Sequence, residues 1–179
     1  MRLVPIACSA VATILIGGGA VLLPATSAHA LTLGTLTCQG TEFTTFSPSL
    51  TQTAASTFIS SADTFGPCVS TDRTISGGLA YTEESDASAS CSTLLSESSG
   101  STTFLWSNGN SSTFSYNKTT IDVNGEIIST ETGTITSGEF AGNLTTEVLV
   151  LPTLDLSACE SSAGISTASG TATLTILPL

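Results

Sequence analysis

The sequence predicts an all-β domain: a single antiparallel β-barrel or β-sandwich, stapled by two disulfides, with little or no helix outside an N-terminal leader. Three observations predict it. Apolar residues alternate with Thr and Ser, as in "TATLTIL" at 171–177. Turn-forming dipeptides recur at short intervals. No stretch carries a capped 3.6-residue apolar period.

The first thirty residues stand apart from that pattern. Arg2 precedes an apolar run from Val11 to Leu23, followed by Pro24 and "ATSAHA". Ala28-His29-Ala30 has the small residues that signal peptidase requires, so residues 1–30 read as a signal peptide cleaved after Ala30. The run is short for a spanning helix of ~20 residues, and an uncleaved anchor is the alternative. Cleavage leaves residues 31–179 as one secreted domain, long enough for a core. Its cations are Arg73 and Lys118, against fourteen acids, a net charge of −12. Nucleic acid takes its affinity from Lys and Arg at phosphates, so it is excluded as a partner. The charge also opposes attraction to anionic lipid, and no membrane contact is expected after cleavage. His29 leaves with the leader, which removes Ser-His and Cys-His pairs and the commonest zinc ligand. No cofactor is expected.

Cys38, Cys68, Cys91 and Cys159 remain. An even count in an exported chain reads as disulfides, with three connectivities open. Cys38–Cys68 with Cys91–Cys159 is preferred. The first clips the N-terminal segment to its neighbour; the second ties a central strand to the penultimate one. A metal site would want Cys-x-x-Cys or His, and neither is present.

The 26 Ser and 30 Thr of residues 31–179 could mark a disordered stalk. Scarce Pro and regular alternation argue for strands instead. In "TATLTIL", Ala172, Leu174 and Ile176 share one face and the three Thr residues the other. "STFSY" pairs Phe114 with Tyr116 on one face. "EVLVLP" (147–152) is a continuous apolar run, consistent with a strand buried on both faces or a helix segment; Pro152 and the β-branched Val residues favour strand. Turn signals include Ser47-Pro48, Gly66-Pro67, Asn108-Gly109, Asn124-Gly125, Ser137-Gly138 and Ser169-Gly170. Residues 83–90, "EESDASAS", read as a polar surface connection.

The candidate sites are few. Ser115-x-x-Lys118 spells a β-lactam-reactive motif, but there the Ser opens a helix; in a strand the two side chains face opposite ways. "DVNGE" offers Asp122, Asn124 and Glu126 at alternate positions, half of a calcium loop. The simpler reading is an Asn-Gly turn between strands. Glu83, Glu84 and Asp86 form an acidic trio that a solvated loop explains. "LPTLD" lacks the context of a sorting signal. The hairpin across 104–116 carries the one Trp, and Trp106, Asn108 and Tyr116 make a possible binding surface.

Several segments in order, "CQGTEFTTFSPSLT", "FLWSNGNSSTFSY", "TGTITSGEFAGN" and a Cys close to the last strand, resemble a group of small secreted actinobacterial proteins. The likeness spans most of residues 36–177. It implies export from a Gram-positive cell and a single β-domain, and it implies no reaction. In that group the Gly138-Glu139-Phe140-Ala141-Gly142 segment recurs, and its glycines suggest tight bends or a bulge around one buried aromatic.

The expected function is therefore a secreted, non-enzymatic, monomeric β-domain that binds an unknown extracellular ligand or an envelope component. One alternative is a small apolar-ligand carrier, which needs large inward apolar residues with space between them. Another is a carbohydrate or protein binder using an exposed Trp106 beside an exposed Tyr. Carboxylates clustered in a deep cleft would instead favour an enzyme.

Overall fold

The computed structural model describes residues 34–179 apart from positions 72 and 153. The expected leader and its cleavage point, with His29, lie outside the described residues. Eight antiparallel strands follow one another: β1 (Leu36–Leu50), β2 (Ala55–Ser70), β3 (Gly78–Ala89), β4 (Ser98–Trp106), β5 (Ser111–Val123), β6 (Glu126–Gly138), β7 (Leu144–Leu151) and β8 (Ile165–Leu177). Each pairs with its neighbour in sequence, and β8 returns to pair with β1, closing a barrel. Closure removes the free sheet edges that a chain with so few charges has little means to protect. Two short 3-10 turns, Thr93–Leu95 and Leu156–Glu160, are the helical content among the described residues.

The period-2 pattern decides what lies inside. Ala172, Leu174 and Ile176 point inward and are fully buried, with Thr171, Thr173 and Thr175 facing out. At the end holding the 107–110 and 139–143 connections, the interior is solid. Phe65, Phe104, Trp106, Phe114 and Phe140 fill it, with Leu36, Ile135, Leu174 and Ile176 around them. Gly138, Phe140 and Gly142 all take positive φ (85°, 60° and 88°) and fold the 139–143 turn back so that the Phe140 ring plugs this end against Trp106. The tight bends around a buried aromatic are thus present.

Several local readings need correction. "EESDASAS" is mostly strand: β3 continues to Ala89. Ser47-Pro48 and Gly66-Pro67 lie inside β1 and β2, where the ladder is interrupted. β1 skips from Thr45 to Leu50 against β8, and the β2–β3 ladder ends at Phe65. Pro, having no N–H, is tolerated at such breaks. Ser169-Gly170 lies within β8, where the glycine leaves room for the Val150 carbonyl oxygen that a Cβ would meet. β7 is buried on one face rather than two, Val148 and Val150 being half-exposed. Asn124-Gly125 is the expected turn, with φ of 57° and 87° and the Gly125 N–H donating to Asp122 Oδ1 at 2.7 Å.

Both disulfides have the preferred pairing, Cys38–Cys68 and Cys91–Cys159. The first joins directly paired residues of β1 and β2. The second lies in connections rather than strands. Cys91 follows β3 and Cys159 sits in the 3-10 turn before β8, so the bond staples the two long connections across the other, upper end of the barrel. Its ring spans 68 residues in sequence. Cys91→Ala/Cys159→Ala should therefore lower stability by about 4 kcal/mol in the chain-entropy account. Denaturant melts of the two forms measure this, and a loss below about 1 kcal/mol would refute that account.

Candidate functional site

Above the aromatic plug the barrel holds a belt of polar side chains, then a cavity. Inward positions on β1 and β2 supply Glu42 and Asp63, which are directly paired across the ladder. On the facing wall Lys118, Glu131 and Glu147 form a row, because β5 pairs Lys118 with Glu131 and β6 pairs Glu131 with Glu147. All five line one cavity of about 200 Å³. Above them Phe46, Leu50, Leu149, Leu151 and Leu154 form an apolar collar, closed over by the stapled connections that carry Leu94 and Leu154. The volume is below the ~300–1,000 Å³ of drug-sized pockets, so it suits a small molecule.

One wall is incomplete. β3 and β4 are hydrogen-bonded over only four residue pairs, Gly78–Tyr81 against Trp106–Thr103. The Thr82 and Thr102 hydroxyls meet at 2.9 Å just above the last pair. Beyond them the strands fork, with Glu84 and Asp86 lining the cavity from one side and Ser98 and Gly100 from the other. Gly100 leaves room beside it: a Cβ there would lie 2.5 Å from the Tyr116 hydroxyl, and Tyr116 reaches across it into the cavity.

The belt is electrostatically costly. Glu147 is 2% exposed and Glu42 7%. Lys118 Nζ lies 3.5 Å from Glu131 Oε1. Thr44 donates to Glu42 Oε1 at 2.7 Å and so accepts its second bond from Ser61. Glu42 Oε2, Asp63 Oδ1 and Glu147 Oε1 are buried with no hydrogen-bond partner among the described residues. Burial, reinforced by Glu42 and Glu131, pushes the Asp63 carboxyl up to about 8. Burial likewise holds Glu131 and Glu147 above the usual carboxylate range, with Lys118 pulling both down. The Tyr116 hydroxyl is raised as well, by burial and then by Glu131. Near neutral pH, Asp63 is thus mostly a neutral acid, able to donate as well as accept.

No family model, curated protein or solved structure matches the chain.

The residues singled out in the sequence do not meet in one place. Trp106 is 4% exposed, inside the plug, and its Nε1–H donates to Ser112 Oγ at 2.7 Å. Asn108 is at the hairpin tip, its side chain donating to Thr74. Tyr116 lines the cavity. These three therefore do not form the exposed patch expected of them; strand alternation sends Trp106 inward with Phe104. The exposed aromatic surface lies elsewhere, where Phe43, Leu79, Tyr81 and Leu105 face outward across β1–β4. Ser115 is exposed while Lys118 lines the cavity, the opposite facing expected of a strand. Of the acidic trio, Glu84 and Asp86 line the cavity, and Glu83 faces out to accept from the Tyr81 hydroxyl. Glu42, Asp63, Glu131 and Glu147 were not singled out in the sequence. Asn143, one of the chain's three Asn-x-Ser/Thr sequons, is buried with its amide donating to Gly34 at 2.9 Å.

Proposed function

We propose that the chain is an exported, non-enzymatic binding barrel that holds a small ligand in its upper cavity. The observation that carries this is the cavity itself: an apolar collar above, acceptor oxygens without partners below, and a forked wall beside them. A protein does not keep buried carboxyl oxygens without hydrogen-bond partners for stability, since each costs about 1–3 kcal/mol. Two disulfides fit an oxidising compartment and so support export. Outward positions such as Thr113, Ser115, Asn117 and Thr119 on β5 support a barrel bathed in water, since a membrane barrel carries an apolar band there.

Calorimetric titration with eight-carbon probes of differing head group, 1-octanol among them, should show one saturable site per chain. Leu149→Trp fills the collar and should abolish it. No saturable site for any head group, or binding untouched by Leu149→Trp, would sink the reading.

One observation favours a second reading. A carboxylic acid kept protonated near neutral pH, as Asp63 is, can serve as a general acid. Acid-catalysed conversion of the bound molecule would then show as turnover lost in Asp63→Asn with binding retained.

A further inference from the structure

The belt and the collar ask for different parts of one ligand. We propose that the ligand is an organic amine, its ammonium head seated among Glu42, Asp63 and Glu147 and its apolar body under the collar. This rests on the cavity being a ligand site.

Four observations converge on the amine. Glu42 and Glu147 are each more than nine-tenths buried, line the cavity and keep an oxygen without a partner among the described residues. Those oxygens accept hydrogen bonds, so they call for a donor. The belt already holds one alkylammonium: Lys118 reaches Glu131, which leaves the other three carboxyls without a cation. The fork between β3 and β4 adds Glu84 and Asp86 to the cavity wall, so that side of the cavity is negative and favours cations. Finally, no three acidic, His or Cys side chains among the described residues converge to hold a metal ion. Spread-out acceptors beneath an apolar collar match the spaced N–H donors and hydrocarbon of an amine better than a compact ion.

The groups facing the head are Glu42 on β1, Asp63 on β2, Glu84 and Asp86 on β3, Tyr116 and Lys118 on β5, Glu131 on β6 and Glu147 on β7. β4 and β8 contribute Ser98, Ser99, Gly100, Thr102 and Ala168, which do not titrate in this range. A cation placed among carboxyls that burial keeps protonated favours their ionised form, so binding releases protons to the buffer.

The test compares n-octylammonium, 1-octanol and octanoate on the intact protein near neutral pH. Octylammonium should bind at least about tenfold more tightly than octanol, and octanoate most weakly, as expected for charge-assisted hydrogen bonds. Its binding heat should change with the ionisation enthalpy of the buffer, while that of octanol should not. Glu147→Gln should weaken octylammonium about tenfold and octanol by much less. Equal binding of ammonium and alcohol, preference for octanoate, or a buffer-independent heat would overturn the amine while leaving the cavity reading intact. Failure of all three probes to bind would overturn both. The proton-release arm uses the unmodified chain, so the test does not depend on a variant folding.

Discussion

Phe104→Ala should destabilise the barrel by about 3–5 kcal/mol, the usual range for a large aromatic removed from a packed core. Phe104 is fully buried and is the hub of the plug. Its ring contacts Phe65 at 5.8 Å edge-on, Trp106 at 5.2 Å and Phe114 at 5.8 Å. Each such pair contributes about 0.5–1.5 kcal/mol beyond simple burial, so this position exceeds an isolated Phe. Collapse into the void is hindered, because the strands on all sides belong to a closed sheet. In a domain of this size the change lowers the melting temperature by roughly 10 °C, at about 2–4 °C per kcal/mol. Thermal melts followed by near- and far-ultraviolet circular dichroism measure it, with Phe104→Leu expected to lose much less. A shift of only one or two degrees in Phe104→Ala would mean that the plug is not where the stability lies. Since the cavity is at the other end, any folded Phe104→Ala protein should keep its ligand affinity.

That division between a solid end and a hollow end was only half legible in the sequence. Where the interior is apolar, alternation reads clearly. β8 shows it in Ala172, Leu174 and Ile176, and the β4–β5 hairpin shows it in Phe104, Trp106, Phe114 and Tyr116. Where the interior is polar, the contrast between faces vanishes. Residues 83–89 read as a loop because both faces of that strand are polar, although Glu84 and Asp86 line the cavity. Closure was not legible either. Barrel and sandwich differ in whether β1 meets β8, and that ladder joins residues as distant as Cys38 and Leu174.

The belt left a signal that composition alone hides. Fourteen acids make any pair of carboxylates unremarkable. Their phase is informative, however. Glu42 is in step with Cys38 and Phe46, Asp63 with Ile59 and Phe65, Glu131 with Ile127 and Ile135, and Glu147 with Leu149 and Leu151. A carboxylate that shares the parity of core residues on its strand must point inward with them. In "EVLVLP" the unbroken apolar run masked that parity, because Val148 and Val150 supplied the same hydrophobicity on the outer face. Which strands bring these four acids to one level depends on register, which no single segment encodes.

The same belt should make the ligand-free protein less stable as pH rises. Asp63 has its carboxyl pushed up to about 8, and Glu131 and Glu147 also lie above the ordinary range. In the unfolded chain these groups release their protons near pH 4, at about the values of free side chains. Below that pH both states are protonated and the belt costs nothing electrostatically. Above it the unfolded chain has lost protons that the folded chain still holds, so unfolding is favoured. Stability then falls as pH rises, until the folded groups ionise in turn, for Asp63 near 8. The slope is about 1.4 kcal/mol per pH unit for each retained proton. Glu147→Gln removes one such group while keeping its shape. It should match the unmodified protein near pH 4 and exceed it increasingly toward pH 8, by up to about 1.4 kcal/mol for each pH unit over which the folded Glu147 keeps its proton. Denaturant melts across that range decide the matter. Parallel curves for the two proteins would show that Glu147 ionises freely in the fold and that the belt is better solvated than its burial implies. A gap that opens with pH, and closes again when octylammonium is added to the unmodified protein, would tie the instability and the proposed binding to the same carboxyls.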